Sequence, residues 1–240
     1  MSSRRWIIAH VTIVVAVTTC LLAGRWQLQR LAARRADNKL AETRKAQAPI
    51  TKDIVSAAAY RRATLSGRYD GDRQVLLPGR VLGGRTGSEV LTPLIIPDAP
   101  AVLVVRGWIP QQIYDPALPP PVPPPDPVEI TGILVPSDAR SGFSPTIPTE
   151  GVLRSMPRLD VGRVERQLPY PLAPLAVRLE TQIPLPEPGQ PVPSPLPPLG
   201  EGPHLSYAIQ WFLFATVFAA GYAVLVRRAL TGKPQDGLTT

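Results

Sequence analysis

Two apolar runs, Trp6 to Gly24 and Leu205 to Val226, stand near the two ends of the chain, and neither contains a charged residue. As helices of about 20 residues, each is long enough to cross the ~30 Å hydrocarbon core of a bilayer. The pattern predicts an N-terminal transmembrane helix over 1–24, a C-terminal one over 204–226, and a short tail over 227–240. Beyond Gly24 the chain is rich in Ala, Leu, Arg, Gln and Glu, with no Pro or Gly before Pro49. That composition predicts a helical extension over 25–47. From Tyr60 the texture changes to short β-like runs separated by turn residues such as Asp70-Gly71 and Gly83-Gly84. The expected strands are Arg62–Tyr69, Arg73–Leu77, Ser88–Ile96, Ala101–Ile109, Val128–Val135, Gly151–Met156 and Ala176–Ile183, with a short helix at Asp160–Gln167. The run 101–109 is almost continuously apolar, as a central strand buried on both faces would be. The expected fold is membrane-anchored α+β: two transmembrane helices flanking a mostly antiparallel β-barrel or sandwich over 48–183.

Proline modifies this picture in two places. Eight prolines fall within 116–127 and nine within 184–203. Such segments favour extended polyproline II and do not join central strands. The first reads as a surface insertion in the β-domain. The second reads as a semi-rigid linker that at ~3.1 Å per residue could reach about 60 Å.

The net charge of +8 raises the question of nucleic-acid binding. Between Ala48 and His204, however, 14 Lys+Arg face 15 Asp+Glu, so the central domain is near neutral. The excess flanks the apolar runs: Arg4 and Arg5, the seven basic residues from Arg25 to Lys45, then Arg227, Arg228 and Lys233. Cations there meet lipid headgroups, whereas a nucleic-acid binder carries them on the folded domain. Nucleic acid is therefore excluded as the expected partner, and the lipid bilayer takes its place. Arg227, Arg228 and Lys233 put the C-terminal end in the cytoplasm by the positive-inside rule, and two spans return the N-terminal end to the same side. The central domain is then extracytoplasmic. Leu21 and Leu22 stand where a cleavage site needs small residues, so the first run is expected to remain as an anchor.

Candidate chemistry is sparse. The one cysteine, Cys20, lies in the first apolar run, and the two histidines, His10 and His204, lie in or beside the runs. The central domain thus has neither a thiol nor an imidazole base, and no nucleophile elbow, zinc-protease or phosphate-loop motif occurs. No enzyme is expected, and no metal site. His204 heads the second run, and on a helix it shares a stripe with Tyr207, Trp211 and Ala215. A neutral imidazole there can ligate haem iron between aromatic neighbours, or it can be one more member of an interfacial aromatic belt. Gln210 lies deeper, as a polar residue that meets another helix. The small residues Ala215, Ala219 and Ala223, with Ala9, Ala16 and Ala23 in the first run, permit either pairing of the two helices or contact with another membrane protein. Arg106 and Trp108, at the end of the apolar strand, are either core anchors or part of a partner-binding surface.

Three blocks of sequence, taken in order, resemble the Surfeit-locus-protein-one family of cytochrome c oxidase assembly factors. They are Gly24-Arg25-Trp26-Gln27-Leu28-Gln29-Arg30, then Thr92-Pro93-Leu94 with Val104-Val105-Arg106-Gly107-Trp108-Ile109-Pro110, then His204-Leu205-Ser206-Tyr207-Ala208-Ile209-Gln210-Trp211-Phe212. The resemblance implies a non-enzymatic role in maturing the haem-bearing subunit I of a haem–copper oxidase, with oxidase subunits and other assembly factors as partners. It implies transient binding of haem a, with His204 as ligand and Tyr207, Gln210 and Trp211 lining the helix face. Trp26 and Arg30 would fix the first helix at the interface and, with Arg106 and Trp108, meet the partner. Pro203 departs from the family, which has Asn before this histidine. A permanent accessory subunit without cofactor, or a cell-envelope binding module, are the rival readings.

Overall fold

A computed structural model describes residues 3–51, 53–111, 120–138 and 152–231. The chain divides into two compact units, one of Met1–Lys39 with Leu199–Thr240 and one of Leu40–Pro198.

The first unit is a pair of helices. Helix α1 runs without interruption over Ser3–Ala46, so the expected helical extension is continuous with the apolar run. Its last turns belong to the second unit. Helix α3 spans His204–Thr231, about 42 Å at 1.5 Å per residue. Both are long and apolar enough to cross a membrane, by length and composition. The two helices run antiparallel. His10 packs edge-on against Tyr222 (centroids 5.3 Å apart), Phe212 packs on Gly24, and Arg35 pairs with Glu201 at 2.8 Å. Beyond them Asn38 Nδ2 donates to the Leu199 carbonyl at 2.9 Å. The contact stripe on α1 includes Ile13, Cys20, Gly24, Gln27 and Leu31, spaced by three, four or seven as one face of a helix requires. On α3, Ala208 and Ala215 are buried. Small residues bring helices close where lipid supplies no hydrophobic drive. The Ala stripe thus serves pairing of the two helices at Ala215, while Ala219 and Ala223 remain exposed.

The second unit is one mixed sheet of six strands: β1 (Arg62–Tyr69), β2 (Val75–Leu82), β3 (Arg85–Ile95), β4 (Val102–Pro110), β5 (Val128–Pro136) and β6 (Leu175–Ile183). Their order is β1-β5-β6-β4-β3-β2, and β1 also pairs with β3 through Arg68↔Ile95 and Tyr69↔Leu94. Every strand pairing is antiparallel except β4–β6. The mostly antiparallel character matches expectation; the sheet is mixed, and the β1–β3 pairing brings β1, β5, β6, β4 and β3 into a closed ring of neighbours. β4 is central and buried on both sides. Leu103 and Val105 join an apolar cluster with Leu77, Leu91, Met156 and Val164, while Val102 and Val104 join Leu65, Leu94, Ile130 and Val177 in another. Alternate side chains of a strand point to opposite faces, so a continuous apolar run is what this position demands.

Four local expectations change. β2 starts at Val75 and runs on to Leu82. The predicted strand 151–156 contributes a single bridge, Leu76↔Ser155, and Gly151 lies outside the described residues. The short helix, α2, spans Val161–Glu165 and is capped by Asp160, whose side chain accepts from the Arg163 N–H at 2.9 Å. The fourth concerns the second proline-rich segment, whose residues as far as Pro198 belong to the β unit. Val192 exchanges both backbone hydrogen bonds with Trp108, at 2.7 and 2.9 Å, and Ser194 Oγ donates to Glu89 at 2.6 Å. The segment lies along the sheet over that stretch and does not act there as a free spacer. Of the first segment, residues 116–119 lie outside the described residues; the Pro121 carbonyl accepts from Arg106 of β4, and the Val122 carbonyl accepts from Gln190 of the second segment.

Candidate functional site

The candidate site lies in the helical unit, where α3 begins. Pro203 precedes the helix, its carbonyl accepting from the Tyr207 N–H at 3.1 Å and from Ser206 Oγ at 2.8 Å. Pro at this point suits a helix start, where an N–H would have no intrahelical partner. His204 is therefore the first helical residue, half-buried, with Nδ1 2.8 Å from Gln27 Oε1 on α1. Gly202, at φ +72°, lies beside the other edge of the ring; a Cβ there would come to 3.4 Å from both Cδ2 and Nε2. A Cβ there would be in ordinary contact with that edge of the ring.

The remaining predicted residues divide. At 100° per residue Trp211 and Tyr207 fall within about 60° of His204 around α3, whereas Gln210 lies about 120° away. Trp211 is half-buried and packs edge-on against Phe214 (6.1 Å), and Tyr207 is exposed. The structure thus brings His204, Tyr207 and Trp211 to one face and turns Gln210 to another, where it is exposed. On α1, Trp26 is exposed and the Arg30 guanidinium lies 6.0 Å from its ring centroid, an i, i+4 cation–π pair on the outer surface. With one imidazole, the helix head offers a single donor of the kind that could hold a haem iron. His10, the other histidine, stands at the far end of the helix pair beside Tyr222. The chain by itself does not bring a second imidazole to this site.

Arg106 and Trp108 prove to be structural. Arg106 is the extra residue of a bulge in β4, where Val90 pairs with Gly107 and Leu91 with Val105; such a bulge re-aims the side chain it carries. Arg106 is only 3 % exposed. Its guanidinium donates to Gln74 Oε1 (3.0 Å), to the Pro121 carbonyl (3.2 Å) and to Gln190 Oε1, and lies 5.2 Å from the Tyr69 ring centroid. Burial lowers its pKa to about 10, opposed by Tyr69, so it stays charged at neutral pH. Trp108 is buried, and its Nε1–H donates to the Arg80 carbonyl at 3.0 Å. Between them, Gly107 has φ +146°, and a Cβ there would stand 2.3 Å from the Val192 carbonyl oxygen. The Arg-Gly-Trp run therefore clamps both proline-rich segments onto the sheet. Both side chains are buried in this chain, as the core-anchor alternative requires.

Two features escaped the sequence reading. Gln27, within a block that was singled out, was given no role. Its signal was its spacing: one turn beyond Gly24, the sole glycine of α1. The second is Glu89, buried in β3 and bound by Arg178 and Ser194, with Arg80 at 3.6 Å. Burial alone would raise its pKa, but the hydrogen bonds and the Arg178 charge hold it below the usual carboxylate range. The β unit also has a cleft of about 970 Å³ beside β1, lined by Asp53, Asp98 and Glu129 among others, which contains none of the predicted site residues.

A mixed β-sheet domain set in the chain between two candidate membrane helices, with one imidazole at the head of the second, defines a class of membrane-associated protein. The chain belongs to the SURF1 family, which it matches over residues 14–216. That family is known generally as one of oxidase assembly factors, not of enzymes. SURF1-like proteins of Mycobacterium bovis and of two Mycobacterium tuberculosis strains, all described as uncharacterized, are 32 % identical to it over 164 residues. The match covers 68 % of this chain and 59 % of each of those proteins, so the chain spans well under two thirds of their length.

Proposed function

We propose that the protein is a membrane-anchored assembly factor for a haem–copper oxidase, stabilising subunit I while haem a is inserted. The observation that carries this reading is His204 itself, a half-buried imidazole at the head of an apolar helix whose Nδ1 is engaged by Gln27 and whose Nε2 edge lies beside Gly202. His204 holds haem a transiently through Nε2, with Trp211 and Tyr207 beside it. Haem supplies the iron that an imidazole can ligate; the protein supplies the single donor, its orientation and a surface from which the cofactor can leave. Trp26 and Arg30 fix α1 at the membrane interface, and Gln210 meets a helix of the partner. Both termini are cytoplasmic and the β unit is extracytoplasmic on the bacterial plasma membrane.

The test is purification of the chain from a host that makes haem a, with and without His204→Ala. The proposal expects haem a on the wild type, its loss in the variant, and recovery of immature subunit I with both. Absence of haem from the wild type overturns the ligand role. Stoichiometric retention in the mature oxidase would instead make the chain a permanent subunit.

A further inference from the structure

Gly24 sets the distance between the two helices of the first unit. A Cβ at that position would come 2.8 Å from the Phe212 ring, closer than carbon atoms pack, so glycine is what lets Phe212 lie against α1. With the helices this near, the next turn of α1 reaches across: Gln27 Oε1 is 2.8 Å from His204 Nδ1, partly buried, between residues 177 apart in sequence. With the Gln27 amide turned so that Oε1 faces the ring, the oxygen has only lone pairs to offer, and the imidazole nitrogen opposite it carries the proton. Neutral His204 is then the Nδ1–H tautomer, and Nε2 is a bare lone pair. In the other tautomer Nε2 carries the proton and ligates nothing.

We propose that Gln27 is the positioning residue of the site: it fixes the tautomer and ring orientation of His204, leaving Nε2 as the free donor. The inference rests on the reading of His204 as a haem ligand only for what Nε2 meets. Histidines that bind metals through one nitrogen commonly donate the other N–H to an oxygen in this way. The chain carries its own reference. His10, the only other histidine, has Nδ1 2.7 Å from the Trp6 carbonyl oxygen, which accepts and never donates. His10 is therefore also an Nδ1–H tautomer, by a contact that does not involve Gln27.

The experiment is ¹⁵N spectroscopy of the full-length chain, labelled at histidine and held in lipid nanodiscs at about pH 8.5, where ordinary imidazoles are neutral. His204→Ala assigns the two sets of ring signals. Both histidines are expected as Nδ1–H in the wild type. Gln27→Leu should shift His204 toward the Nε2–H form and leave His10 unchanged, while Gln27→Glu, which keeps an acceptor, should behave as the wild type. Titration with ferric haem b as probe should then show about 10- to 100-fold weaker binding in Gln27→Leu. A wild-type His204 already in the Nε2–H form overturns the inference without any variant, as does a tautomer indifferent to Gln27→Leu. If the tautomer follows Gln27 but haem b binding ignores His204→Ala, the positioning role stands and the haem reading falls. If haem b binds through His204 equally well in wild type and Gln27→Leu, the haem reading stands and the positioning role falls.

Discussion

Replacing Glu89 by Gln should destabilise the β unit by about 3–5 kcal/mol, the cost of removing one partner from a buried ion pair. The side chain of Glu89 is 6 % exposed and that of Arg178 is 12 % exposed. Arg178 meets Glu89 through both terminal nitrogens, and Ser194 Oγ donates to the same carboxylate. Gln preserves the shape and one acceptor but removes the charge, so a buried guanidinium is left without an anion, and its Nε already lacks a partner among the described residues. The carboxylate also ties three strands, β2, β3 and β6, to the returning segment at Ser194, so little can relax around it. Trp108 lies opposite Glu89 across β3 and β4 and is the one tryptophan in Leu40–Pro198. Its indole N–H signal therefore reports melting of this unit within the full-length, detergent-solubilised chain. At about 2–4 °C per kcal/mol for a domain of this size, the midpoint should fall by about 6–20 °C. Adding Arg178→Met removes the stranded charge and should restore more than half of the loss. A single variant within about 1 kcal/mol of the wild type, or a double variant as unstable as the two losses summed, would refute the reasoning.

Further outcomes follow from the same contacts. Because the Glu89 pKa is held below its ordinary 4.5 in the folded protein, its contribution is present above that value and is lost as pH falls below it. Wild type should lose stability through this acid range more steeply than Glu89→Gln, as read by the same indole signal. Gly107→Ala places a Cβ against the Val192 carbonyl at a φ that favours glycine and should cost at least the 1–3 kcal/mol of an overpacked core, with increased hydrogen exchange at Val192 as the local readout. With Cys20 replaced by Ser, a cysteine introduced at exposed Ser66 should react with a membrane-impermeant maleimide on intact cells; labelling only after lysis would reverse the proposed topology.

Legibility differed sharply from element to element. β1 was read to the residue and β4 to within one, because alternation or a continuous apolar run leaves few alternatives for a strand's position. Both apolar helices were visible for the same reason. The proline-rich return was not. Val192 sits between Pro191 and Pro193, and polyproline habits describe such a stretch well in isolation. It pairs nonetheless, because Val192 keeps the one N–H in that tripeptide and Trp108 needs an acceptor there. For Arg106 the sequence leaves core anchor and partner surface both open, since arginines are mostly exposed. Only the bulge and the two glutamines that receive its guanidinium explain its burial, and none of these is local in sequence. The site shows the same division. The helix period placed His204, Tyr207 and Trp211 together and should already have set Gln210 apart, while the Gln27 contact across 177 positions has no signature in a single sequence.

The account stands or falls most directly on the reduced-minus-oxidised spectrum of membranes from a strain lacking this gene. Loss of the oxidase haem a band, restored by the wild-type gene and poorly by His204→Ala, is the predicted result. An undiminished haem a band in the deletion strain would contradict it.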